Sequence, residues 1–428
     1  MKKGKMLHIL MVILLSFTLL IGCSSKEPSG GSQKADTNKT SEVGKDVKLR
    51  FAIWDKNQLP GMEAVTKAYI EDHPNVTISV EVIPWDEYWT KLEAGAVGNS
   101  MPDVFWMHSN EFYKYASNNK LMEITDGMIE EDKYPEGLVT NFSFDGKLYG
   151  VPKDFDTIGL IYNKILFDEA GVAYPDESWT WETFKEAAIA LTNNEKGVTG
   201  FAASFENQSG YYNTLYQNGG TVITDDHKSG FDLPETIEGI KFYFDFYKAL
   251  EASESIDYYT ENSIENAFAS DKVAMTFRGS WMLSYYSTTE TTKDKFDIAV
   301  LPKGKERASI YNGLTYAGSA TTKHSEVVKD FLTYCGSKEA NIIQGEHKAA
   351  IPAYENTQES FLTQFEGINV KAYVDMLDYA VVLPFTPNKP KWEDVEKTTL
   401  KAFAIGDLSA DEAFSYIATE MNKILEKE

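Results

Sequence analysis

The sequence of 428 residues predicts an α/β fold, and three observations carry that expectation. Short β-rich runs alternate with helical runs from Val47 onward. The helical runs are long enough to serve as crossovers, which favours parallel pairing of the strands they join. Stretches rich in small residues then interrupt the pattern where a chain could pass between two units. In order, VKLRFAIW (47–54) reads as a strand, GMEAVTKAYIEDHP (61–74) as a helix, VTISVEVIP (76–84) as a strand and DEYWTKLEAGAVGN (86–99) as a helix. PDVFWM (102–107) and GLIYN (159–163) continue the strand series, and Asp145-Gly146-Lys147 is a turn. In SWTWETFKEAAIALT, Thr180 is placed to cap a helix that opens with Thr183 and Phe184. FDIAVLPKG reads as a strand and turn, and ASIYNGLTYAGSA carries Gly313, Ala317 and Gly318 where the chain could bend back.

The first residues stand apart from this pattern. Lys2, Lys3 and Lys5 precede an apolar run from Ile9 to Ile21, too short for a standard spanning helix and shaped like an export signal. Leu20-Ile21-Gly22-Cys23 fits a bacterial lipobox, so residues 1–22 are expected to be a lipoprotein signal peptide, with Cys23 lipid-modified at the start of the mature chain. Residues 23–46 lack large apolar side chains and are rich in Ser, Gly, Lys and Thr, the composition of a flexible tether spanning on the order of 25 Å. The other cysteine, Cys335, has no expected partner, so the body must be stable without a disulfide. Its length suits two domains. The formal net charge of −24 argues against nucleic acid and anionic lipid headgroups as partners.

The stretches MPDVFWMHSNEFYKYASNNKLMEI, DGKLYGVPKDFDTIGLIYNKILFDEAGV, WTWETFKEAAIALT, YQNGG, AFASDKVAMTFRGSWML, FDIAVLPKG and AIGDLSADEAFSYIATEMNKIL together resemble the extracellular solute-binding proteins (family 1) of carbohydrate ABC importers. The group includes the maltodextrin-binding and multiple-sugar-binding lipoproteins. The resemblance covers nearly all of Val47 to Glu428 and rests on the order and spacing of these stretches. It implies two Rossmann-like lobes joined by hinge crossovers, a periplasmic-binding-protein-like fold of type II, with the ligand in the cleft between them. The first lobe would hold 47–153 plus 314–350 and the second 154–313 plus 351–428. The implied partners are a mono- or oligosaccharide and the transmembrane permease subunits, with the protein a monomer that needs no cofactor.

A sugar offers a weakly apolar C–H face and a ring of hydroxyls, so its site calls for flat aromatic platforms beside carboxylates, amides and imidazoles. Trp54 and Asp55 end the first strand, Trp106 and His108 end PDVFWMH, and Asp154 and Asp156 bracket Phe155 at a crossover. Trp281 is the awkward residue. It follows Arg278, Gly279 and Ser280 in a turn rather than lying in an apolar run, and by resemblance its indole stacks on a sugar ring, with Gly279 and Ser280 letting a helix start close to the ligand.

By resemblance, too, Asp156 accepts sugar hydroxyls, Trp392 is a counterpart on the C-terminal segment, and Tyr211 or Tyr212 offers a platform before YQNGG. Asn110, Asn312, Tyr316 and Arg278 are polar neighbours of matching stretches. Trp85, Tyr88 and Trp89 are accounted for by a helix packing on its sheet, though Tyr88 could also face the cleft; Trp179 and Trp181 belong to local packing around the Thr180 cap.

The sequence also admits readings from other classes. Asp154 and Asp156 fall on one face of a strand, a pairing on which a glycan-acting surface hydrolase could in principle be built. Glycosidase carboxylates usually come from different strands, however, and the sequence contains no G-x-S-x-G or H-E-x-x-H. Paired tyrosines (Tyr211-Tyr212, Tyr258-Tyr259, Tyr285-Tyr286) admit a ferric-iron binder, and another solute such as a polyamine is a further option. The six histidines show no zinc spacing.

Overall fold

The computed structural model describes residues 46–247 and 250–428; Cys23, the signal peptide and all of the tether before Asp46 lie outside them. The strands are β1 (Val47–Ile53), β2 (Val76–Val82), β3 (Val104–His108), β4 (Ser143–Phe144), β5 (Lys147–Leu148), β6 (Val151–Asp156), β7 (Ile158–Asn163), β8 (Thr199–Ala202), β9 (Val273–Gly279), β10 (Phe296–Ala299), β11 (Ser309–Gly318) and β12 (Ala380–Val382). One sheet has the order β12-β11-β3-β1-β2, with β6 also paired to β11; a second has the order β10-β7-β9-β8; β4 and β5 form a small hairpin. In the first sheet α1 (Leu59–Asp72) links β1 to β2, and α2 (Trp85–Gly98) links β2 to β3. These crossovers give parallel pairing of β1 with β2 and β3. β8 also pairs parallel with β9, and β12 with β11, but two strands depart from the parallel expectation: β11 runs antiparallel to β3 and β6, and β7 antiparallel to β9 and β10. β11 enters the first sheet after the strands of the second are complete.

Two crossovers join the sheets. Only Thr157 separates β6 from β7, and its hydroxyl donates to the Tyr373 carbonyl at 2.7 Å. The Ser309 hydroxyl clamps the start of β11 to β7, accepting from the Ile158 N–H (2.8 Å) and donating to the Ile158 carbonyl (2.9 Å). A third strand-like contact is the Phe155 N–H on the Ile351 carbonyl at 3.2 Å. The boundary expected at 313/314 therefore falls inside one continuous strand, with Asn312 opposite Asp156 and Leu314 opposite Asp154. The segment 351–428 is likewise shared, since β12 joins the first sheet and the helix Glu359–Leu362 packs on Lys338–Glu346.

Each sheet has its own aromatic core. Phe51, Tyr316 and Phe331 meet at centroid distances of 6.0 Å on the first sheet, and Phe184, Phe201, Phe246 and Phe277 interlock on the second. Thr180 caps the helix Trp181–Leu191 through a reciprocal bond with Thr183. Trp181 stacks on Phe242 at 3.9 Å, and Trp179 is buried. Cys335 is a free, buried thiol.

Candidate functional site

Because β1 and β3 run parallel, their carboxyl ends open on the same side, and the residues that follow them meet there. Trp54 is half-buried and lies edge-on to Trp85 (5.2 Å), Tyr88 (5.0 Å) and Trp106 (5.1 Å), and tilted against Trp89 (5.7 Å). Tyr88 braces this cluster from within, its hydroxyl donating to the Trp106 carbonyl at 2.8 Å.

A belt of polar side chains runs from the cluster to the second sheet. The Asp55 carboxylate accepts from the Asn57 N–H (2.8 Å) and from Gln58 (3.3 Å), and Gln58 accepts from Lys153 Nζ at 2.9 Å. Lys153 also reaches Asp154 (2.5 Å) and sits 4.4 Å from the Trp106 ring, a buried cation held by charge and π-face together. The second Asp154 oxygen accepts from the Leu314 N–H at 2.9 Å. Two residues on, Asp156 accepts from Gln208 Nε2 at 2.8 Å; burial first, and the neighbouring Asp154 charge second, push its carboxyl well above the ordinary range.

On the other flank, His108 Nδ1 accepts from the Asn110 N–H (3.1 Å), and its Nε2 lies 2.9 Å from the Asn312 amide. Burial and the Lys389 charge lower His108 to about 3, so the ring is neutral at physiological pH. The Asn110 side chain, on α3 (Ser109–Ser117), accepts from Lys389 Nζ at 2.7 Å, joining that helix to the helix Lys389–Ile405. Burial lowers Lys389 to about 8, against the pull of Glu393. Glu393 in turn accepts from Asn207 Nδ2 at 2.5 Å and pairs with Lys397 at 3.3 Å.

Trp281 stands in the 3-10 turn Ser280–Met282 directly after β9 and is half-buried. Its ring lies over Gly279, where an added Cβ would come within 1.8 Å of the indole. Gly279 is thus needed for the indole itself to fold back across the strand end, a more local reason than the helix start expected from sequence.

Several expected site residues are turned inward. Trp106 is fully buried rather than partly exposed, because Trp54 and Lys153 cover it. Neither Tyr211 nor Tyr212 presents a platform: both phenols donate to Glu396, at 2.9 and 2.7 Å, and both rings are fully buried. Burial, then the Glu393 charge, raises Glu396 to about 8. Trp392 is fully buried, with its N–H on Thr386 at 2.9 Å. Arg278 is occupied by Glu265 (2.9 Å) and the Phe277 carbonyl (2.8 Å). Tyr316 donates to Gln344 at 2.8 Å in the core of the first sheet, and Tyr88 is sealed under Trp54. Asn312 is buried, but on the belt, where it accepts from the Ser109 hydroxyl at 3.0 Å.

The belt also includes residues that sequence reasoning passed over: Gln58, Lys153, Asn207, Gln208, Lys389 and Glu393. Trp85, assigned to packing, is 43% exposed. A cavity of about 350 Å³ lies elsewhere, lined by Tyr134, Phe155, Ala353, Val374 and Leu377. Phe155 alternates with Asp154 and Asp156 along β6, which puts that cavity on the other face of the strand.

Two α/β sheets joined by the β6–β7 and β11 crossovers define the type II periplasmic-binding-protein class. An ABC substrate-binding protein from Listeria monocytogenes, solved in complex with cycloalternan, shares this fold with a TM-score of 0.82 at 23% identity, covering 89% of this chain and 99% of that one. The chain belongs to the bacterial extracellular solute-binding protein family, whose profile matches residues 56–342. A maltooligosaccharide ABC transporter solute-binding lipoprotein from Streptococcus pneumoniae R6 is 24% identical, over 89% of this chain and 86% of its own. The maltodextrin-binding protein MdxE of Bacillus subtilis is 25% identical, over 92% and 90%.

Proposed function

We propose that this protein is the substrate-binding component of a carbohydrate ABC importer: it captures a sugar or oligosaccharide outside the cytoplasmic membrane, passes it to a permease and performs no chemistry on it. The observation that carries this reading is the partly exposed indole of Trp54 at the carboxyl ends of β1 and β3, beside two hydrogen-bonded runs of polar side chains, Asp55–Gln58–Lys153–Asp154 and Asp156–Gln208–Asn207–Glu393. Aromatic faces suit the C–H surface of a pyranose, and amide and carboxylate groups suit its hydroxyls. The names of the Streptococcus and Bacillus relatives support the same ligand class.

In this reading one lobe is built on each sheet, the ligand lies between them, and residues of both close on it. Trp54, Asp55, Asn110, Asp156 and Trp281 contact it, with His108 and Gln208 behind. Cys23 carries the lipid that holds the protein at the outer face of the membrane, and the protein acts as a monomer. Cys23→Ala is expected to release it from the membrane fraction or leave an unprocessed precursor; membrane association at the mature size would contradict the anchor.

A thermal-shift panel of maltose, maltotriose, longer maltodextrins and galacto-oligosaccharides tests the ligand class. A ligand present at about 100 times its Kd stabilises by about 2.7 kcal/mol. Stabilisation by an oligosaccharide without cleavage products in chromatography is the expected result. Stabilisation only by ferric iron or spermidine, or release of shorter sugars, would overturn it.

A further inference from the structure

All eight tryptophans lie in the described region, and Trp85 is the most exposed of them. It is also held in place. As the first residue of α2, it has a helical backbone. Its ring meets Trp54 at 5.2 Å and 81°, Trp89 at 5.4 Å and 87°, and His108 at 5.7 Å and 79°. Three near-perpendicular neighbours define the plane of the indole while leaving 43% of the residue uncovered. A side chain that only sealed α2 against its sheet would be buried, as Tyr88 is one turn further along. The ring contact with His108 ties Trp85 to the site, since His108 Nδ1 accepts from the Asn110 N–H and its Nε2 lies beside the Asn312 amide.

We propose that Trp85 is the outer platform of the sugar site, stacking on a ring beyond those gripped by the polar belt, and that it sets a preference for longer oligosaccharides over a mono- or disaccharide. The inference rests on the sugar-binding reading above. Because the indole is immobilised before the ligand arrives, stacking costs little ordering entropy. Because it lies outside the belt, a short ligand held by Trp54, Asp156 and Trp281 leaves it uncovered.

Calorimetric titration of the purified protein and of Trp85→Ala and Trp85→Phe with maltose, maltotriose, maltotetraose and maltohexaose, and with a galacto-oligosaccharide series, tests the assignment. In the wild type, affinity should rise along one series up to a particular length. Trp85→Ala should lose about five- to a hundred-fold in affinity at that length and beyond. It should bind the shortest ligand as the wild type does, and Trp85→Phe should keep part of the gain. Acrylamide quenching gives a second readout, since long ligands should shield a fluorescence component that Trp85→Phe lacks. Equal loss at every length, or a lower melting temperature with unchanged affinities, would make Trp85 a packing residue and overturn this inference alone. Failure of the wild type to bind any member of either series would overturn it together with the sugar-binding reading.

Discussion

Two sets of aromatic side chains lie beside the polar belt, and they are built to opposite ends. At the carboxyl ends of β1 and β3, Trp85 meets Trp54 and Trp89 edge to face, Trp54 lies tilted against Trp89, and all three keep surface open to solvent. Around the helix Lys389–Ile405, Tyr211, Tyr212 and Trp392 are fully buried, and each polar tip is consumed by an internal partner, Glu396 for the phenols and Thr386 for the indole. Aromatic density alone therefore does not mark a binding surface. What separates the two clusters is whether the ring faces and polar tips are already spoken for.

The comparison breaks most readily at Trp392. Trp392→Ala removes a fully buried indole and should cost about 3–5 kcal/mol in urea unfolding of the ligand-free protein. A loss under about 1 kcal/mol would mean the ring is not part of the core. Gly279→Ala probes the open side without touching an aromatic residue. Its new methyl would collide with the Trp281 ring and expel it, while the backbone at Gly279 (φ −78°) accepts alanine without strain. Sugar affinity should fall by about 1–3 kcal/mol, roughly five- to a hundred-fold, with apo stability little changed. Wild-type affinity in Gly279→Ala would show that the indole position is immaterial to binding.

The smallest effect is a pH slope. Glu396 titrates near 8 in the folded protein, against an ordinary value of 4.5. Between these values the native state holds a proton that the unfolded state has released, so this group's contribution to stability is full below 4.5 and falls as pH rises toward 8. His108, lowered to about 3 from 6.5, acts with the opposite sign, adding stability as pH rises from 3 to 6.5. Above 6.5 the His108 contribution is complete, and Glu396→Gln should reduce the fall in unfolding free energy between 6.5 and 8, a fall to which the raised Asp156 carboxyl adds with the same sign. An unchanged slope would remove Glu396 as its source.

Much of the fold was legible in the sequence because its signals are local. The β1, α1, β2 and α2 segments each appear within two residues of expectation, and Thr180 caps its helix as the S-W-T-W-E-T pattern predicts. The antiparallel return of β11 was not legible, since pairing across the molecule depends on what both sheets leave unpaired. Of the residues proposed to contact ligand, Trp54 and Asp156 could be singled out from strand ends, and Trp281 from its unusual turn. Tyr211, Tyr212 and Trp392 could not be told from platforms, because their burial is decided by Glu396 and Thr386, distant in sequence or masked by composition. Lys389, Glu393 and Glu396 did leave a signal, an i, i+4, i+7 spacing that puts all three on one helix face. The Gln208–Asp156 and Asn110–Lys389 bonds span long sequence separations and leave none.

Trp281 is proposed to face ligand while Trp392 faces core, and paired calorimetric titrations and thermal melts of Trp281→Ala and Trp392→Ala with the tightest-binding oligosaccharide separate the two roles. Trp281→Ala should lose about five- to a hundred-fold in affinity with the apo melting temperature nearly unchanged, and Trp392→Ala should melt well below the wild type. A destabilised Trp281→Ala that binds normally once folded would contradict the account.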